Sequence, residues 1–163
     1  MFGNILIWFV VIPVIMMAGL GLCRNSSMNA IRAVMTVCST VLLGLSIWLC
    51  VDFLRLREMG VDDEMLYTGS WMWYAPLNIH LAVGVDGISV LMLMLSSVIV
   101  FAGTFASWKI SPLPKNFFLW FALLSTGVFG FFISIDIFTM FMFYEVALIP
   151  MYLLIGVWGT GRK

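Results

Sequence analysis

Five apolar runs dominate this chain, at about 2–22, 33–53, 86–108, 117–133 and 136–158. Each approaches the roughly 20 residues that a helix needs to cross about 30 Å of hydrocarbon. Inside a bilayer no water is available to bond free N–H and C=O groups, and a helix satisfies them within the segment itself. The spacing therefore predicts an all-α, multi-pass integral membrane protein with about five transmembrane helices in one domain. Composition agrees: 63% of the 163 residues are hydrophobic and only 10% are charged, far from the roughly one-quarter charged residues of soluble domains.

Several function classes drop out at once. The formal net charge is zero, which leaves no basic footprint for nucleic acid. Cys23, Cys38 and Cys50 form no C-x-x-C pair, and His80 is the single histidine, so ligands for haem, zinc or an iron–sulfur cluster are lacking. No cofactor is expected in this chain, and the cysteines read as free thiols. His80 reads as a surface or packing residue.

The links between the runs carry the charge. Residues 23–32 hold Arg24 and Arg32; residues 54–64 hold Arg55 and Arg57 with Glu58, Asp62, Asp63 and Glu64. Tyr67, Trp71, Trp73 and Tyr74 read as an aromatic belt at the membrane face, and NIHLAVGV as a short surface strand. Asp86 and Asp136, each at the head of a run, suit N-caps. Ser96–Ser97, Gly103–Thr104, Gly127 and Gly130 suit close helix approach. Pro112 and Pro114 in KISPLPK read as a helix stop and turn, and Ser134-Ile135-Asp136 as the link of a tight helical hairpin. The first run lacks the basic flank of a cleaved signal peptide. If the helices alternate, Arg24, Arg32, Lys109, Lys115, Arg162 and Lys163 share one side, and the positive-inside rule puts the N-terminus outside and the C-terminus in the cytoplasm.

Against this background Glu145 stands out, near the middle of the last run. A carboxylate at the centre of a spanning helix costs about 3 kcal/mol on insertion scales, and such a residue is expected to face the bundle interior or a water path and to pair with another group. Pro150, five residues on, has no N–H to donate and frees the carbonyl at Val146. An ionisable group beside a loosened turn suits proton handling. The competing reading is a neutral structural carboxyl and a packing kink.

IHLAVGVDGIS and, more specifically, FYEVALIPMYLLIGVWG resemble the M-type (chain-4-like) antiporter-like membrane subunit of proton-pumping NADH:quinone oxidoreductase, respiratory complex I. The resemblance implies three initial helices followed by two inverted five-helix repeats, of which only the first two helices are present here. It implies that Glu145 is the carboxylate of a coupling pair with a lysine on a later helix, absent from this sequence, and that Asp86 is structural. It further implies partners among the other membrane subunits, protons as the transported species, and a bacterial inner membrane. Two alternatives stay open: a subunit of a Na⁺/H⁺ antiporter or membrane-bound hydrogenase using the same residues, and a truncated chain with a structural role.

Overall fold

A computed structural model describes residues 3–22, 28–111 and 113–159. The positions of Cys23, Arg24, Arg162 and Lys163 lie outside the described residues, as does Pro112. Among the described residues five helices are long and apolar enough to cross a membrane: α1 (Gly3–Leu22), α2 (Met28–Glu58), α3 (Gly87–Ala106), α4 (Pro114–Ile133) and α5 (Ile137–Trp158). Two strands, β1 (Leu66–Tyr74) and β2 (Ile79–Val85), form an antiparallel hairpin between α2 and α3.

Contacts at the ends show that the helices alternate. An Arg32 guanidinium nitrogen donates to the Trp108 carbonyl at 2.7 Å, Lys115 Nζ donates to the Gly21 carbonyl at 3.2 Å, and Trp158 meets Phe117 at 5.5 Å between ring centroids. These contacts bring the end of α1, the start of α2, the end of α3, the start of α4 and the end of α5 to one end of the bundle. At the opposite end the Ile135 N–H donates to the Ala82 carbonyl at 3.0 Å, tying the α4–α5 link to the hairpin.

The sequence boundaries need three corrections. Helix α2 runs five residues further at each end than the expected 33–53. Hydropathy marks the part in hydrocarbon, whereas a helix continues into polar residues, and Arg55 and Arg57 in its last turn suit the negative helix terminus. Pro114 opens α4 instead of closing a turn; a proline at N1 lacks only an N–H that would have no acceptor there. The aromatic segment at Tyr67–Tyr74 lies in strand β1, which pairs with β2 from Leu66↔Val85 to Tyr74↔Ile79. Its aromatics mask the period-two alternation that identified β2. Asn78 closes the hairpin in the left-handed region at φ 52°.

Packing follows narrow seams. Along α2 the buried residues are Ile31, Met35, Ser39, Leu42, Ser46, Leu49 and Phe53, a spacing of three and four that keeps one stripe inward. Ser39 and Ser46 donate back to the Thr36 and Leu43 carbonyls, which satisfies their hydroxyls in a dry seam. The core has two parts. One joins α1, α2, α3 and α4 to the hairpin around Leu6, Phe9, Leu49, Val85 and Phe129. The other, at the Lys115 end, gathers Met16, Leu20, Ile31, Met35, Phe117 and Phe118.

Candidate functional site

Helix α5 carries the site. Asp136 caps it, accepting from the Phe138 and Thr139 N–H groups at 3.0 and 3.3 Å. The helix then runs unbroken through Pro150 to Trp158. Its packed stripe reads Thr139, Phe143, Ala147, Pro150, Leu154 and Trp158, again at intervals of three and four. Gly127 and Gly130 make the close approach possible: a Cβ on Gly127 would lie 2.7 Å from the Ala147 nitrogen, and one on Gly130 would run into the Phe143 ring. Both notches expected from the sequence are therefore real.

Glu145 is two positions from both Phe143 and Ala147, about 160° around the helix, so it lies opposite the stripe on α4 and not, as the sequence led one to expect, towards the interior of the bundle. Its face is open. Phe141 is 62% exposed, Ile149 59% and Tyr152 78%, and Glu145 itself is exposed among them. Of the five spans α5 is the least covered, 6% buried against 50% for α4. Glu145 is the ninth of 22 residues, about 12 Å along the helix and so deep in the hydrocarbon. It makes no hydrogen bond or ion pair with the described residues. The described bases lie in or beside the helix ends: Arg32, Lys109 and Lys115 at one end of the bundle, Arg55 and Arg57 at the other.

Pro150 sits differently from the sequence expectation. It is buried on the packed stripe, about 140° from Glu145, and no unwound turn adjoins the carboxylate. Between α4 and α5 a cleft of about 210 Å³ is lined by Leu124, Val128, Tyr144, Leu148 and Met151 among others. On the other side of Leu124 and Val128 a second cleft, of about 170 Å³, meets Ser96 and Ser125. The buried hydroxyls of Ser97, Thr104, Ser125 and Thr126 each donate to the carbonyl four residues earlier in their own helix, at 2.8 to 3.0 Å. Their protons are committed locally.

Asp86 caps α3 by accepting from the Ser89 N–H at 2.7 Å, and that donation holds its carboxyl below the usual carboxylate range. Asp86 and Asp136 both lie beside the hairpin, remote from Glu145. His80 bonds Asn78 on the hairpin at 3.1 Å. Among the described residues no group of three or more metal-ligating side chains comes together.

Two polar contacts escaped the sequence reading. Tyr67 Oη donates to Asp52 Oδ2, clamping the hairpin to α2, and burial followed by the Asp52 carboxylate pushes the phenol well above its ordinary range. The Arg32 guanidinium also stacks on the Trp108 ring at 5.2 Å. An acid at the end of an apolar run was the available signal for Asp52; its partner, 15 residues away, was not.

A bundle of five apolar helices, with an uncovered carboxylate deep in one of them, defines a multi-pass integral membrane protein. Its fold is shared with a chain of the membrane-bound sulfane sulfur reductase, an archaeal respiratory membrane complex, at a TM-score of 0.71 and 17% identity over 96% of this chain and 31% of that one. In sequence it is 32% identical to NADH-quinone oxidoreductase subunit M of Pseudomonas aeruginosa over 95% of this chain and 31% of that protein. Against subunit M of Escherichia coli it is again 32% identical, over 93% of this chain and 30% of that protein. With the chloroplastic NAD(P)H-quinone oxidoreductase chain 4 of Chaetosphaeridium globosum it shares 33% identity over 68% of this chain and 22% of the relative. The chain is a homologue of these subunit M and chain 4 proteins and spans less than a third of their length. No family model matches it.

Proposed function

We propose that this chain is part of the membrane arm of a proton-translocating NADH:quinone oxidoreductase and that Glu145 is its proton-carrying group. One observation carries the reading: an acid deep in the hydrocarbon, on the open face of a helix whose other face is locked to α4. Leaving that carboxylate against lipid costs about 3 kcal/mol or more, so the face calls for a cover that supplies a polar or basic partner. The fitting partner is a lysine on a helix beyond this chain. An ammonium close by favours the charged carboxylate, and its withdrawal lets desolvation favour the neutral one. Alternation between the two states takes up and releases a proton. This chain then does no redox chemistry of its own; the electron-transfer steps belong to other subunits.

On this reading α1, α2 and α3 are the three initial helices, and α4 and α5 open the first inverted repeat. The positive-inside rule puts the Arg32, Lys109 and Lys115 end in the cytoplasm of a bacterium, with the hairpin outside its inner membrane. The N-terminus is then outside and the C-terminus cytoplasmic. The test is Glu145→Gln in the intact complex, with proton uptake recorded in sealed vesicles during NADH oxidation. The expected result is loss of most pumping with the other subunits still assembled. Pumping at the wild-type rate would remove Glu145 from the pathway, and uptake that follows Na⁺ instead of pH would favour the cation antiporter.

A further inference from the structure

A groove of about 450 Å³ on the outside of the bundle is lined by Met17 of α1 and by Asn116, Leu119, Trp120 and Leu123 of α4. The α4 residues are spaced i, i+3, i+4 and i+7, one stripe about 10 Å long. Its mouth lies in the first turn of α4, at the end of the bundle where Arg32, Lys109 and Lys115 gather. Its floor is apolar. Further up α4 the same stripe reaches Gly127 and Gly130, where Ala147 and Phe143 of α5 fill it. The groove is thus a slot open at a basic membrane surface and stopped in the hydrocarbon.

We infer that this slot is a binding site for an anionic phospholipid, with an acyl chain along Met17, Leu119, Trp120 and Leu123 and the phosphate at Asn116 and Lys115. The shape argues against another helix as occupant, because a helix about 10 Å wide lying along α4 would collide with α5 beyond Leu123. A flexible acyl chain ends where the slot ends. The charge argues for an anionic headgroup. Lys115, beside Asn116 in the first turn of α4, donates to the Gly21 carbonyl of α1, one turn from the groove residue Met17, and the first N–H groups of α4 have no acceptor within the helix and favour an anion. Asn116 supplies an exposed amide between them.

Trp120 gives the readout. The full chain is placed in vesicles in which phosphatidylglycerol or phosphatidylcholine carries brominated acyl chains, and the Trp120 signal is taken as the difference from Trp120→Phe. A surface lysine is worth about 1 kcal/mol towards an anionic lipid, so half-quenching is expected at about fivefold lower mole fraction of brominated phosphatidylglycerol than of brominated phosphatidylcholine. Lys115→Gln should bring the two curves together. Coincident curves for the wild-type chain mean ordinary surrounding lipid and overturn the site, whether or not Lys115→Gln folds. A preference that persists unchanged in Lys115→Gln overturns the assigned headgroup position.

Discussion

Gly127→Ala should loosen α5 from α4, and the size of the effect can be worked from the interface. The new methyl carbon would sit 2.7 Å from the Ala147 nitrogen, 2.8 Å from its Cβ and 2.9 Å from its Cα. Ordinary contacts between such atoms are about 3.5–4.0 Å, so the helices must part by nearly 1 Å. Backbone cannot rotate away as a long side chain does. Overpacking of this kind costs about 1–3 kcal/mol. The opposing gain, about 1 kcal/mol of helix propensity for alanine over glycine in water, shrinks in a bilayer because a separated spanning segment is already helical. Destabilisation wins. Gly156→Ala is the control on the same helix, with nothing within 4 Å of its new Cβ and an expected change within about 0.5 kcal/mol. Reversible unfolding in mixed micelles measures both, and crosslinking of α4 to α5 reports where any loss arises. Equal stability of the two variants would refute the argument that close backbone approach at Gly127 holds α5 in place.

Two further substitutions test the ends of the bundle. Asp86→Ala should cost about 1 kcal/mol through loss of the α3 cap. Because the folded carboxyl is held below its ordinary range, the wild-type advantage should be full above the ordinary carboxylate range and vanish as pH falls through the depressed folded value; an advantage unchanged at low pH would contradict the cap. Tyr67→Phe should leave the α2 carboxylate of Asp52 without its donor and speed hydrogen exchange in β1 at neutral pH. In the wild type the same loosening should set in as pH rises above the ordinary phenol range, since a raised folded value contributes stability that is lost on ionisation.

Much of this protein was legible before any coordinates, because a bilayer imposes a length and a polarity on every segment that crosses it. Five spans, two N-capping aspartates, the tight α4–α5 link and the glycine notches all follow from local rules of hydrogen bonding and size. So does the depth of Glu145, which is a matter of counting residues along an apolar run. Which way that carboxylate faces was not in the linear pattern: α5 is apolar nearly all round, and only the contacts of Phe143 and Ala147 with α4 decide that Glu145 points away. The Tyr67–Asp52 clamp, the pairing of β1 with β2, the inward seat of Pro150 and the slot ending at α5 likewise join residues distant in the chain. Each depends on how whole helices come to rest against one another, and that is settled by side-chain volume across an interface.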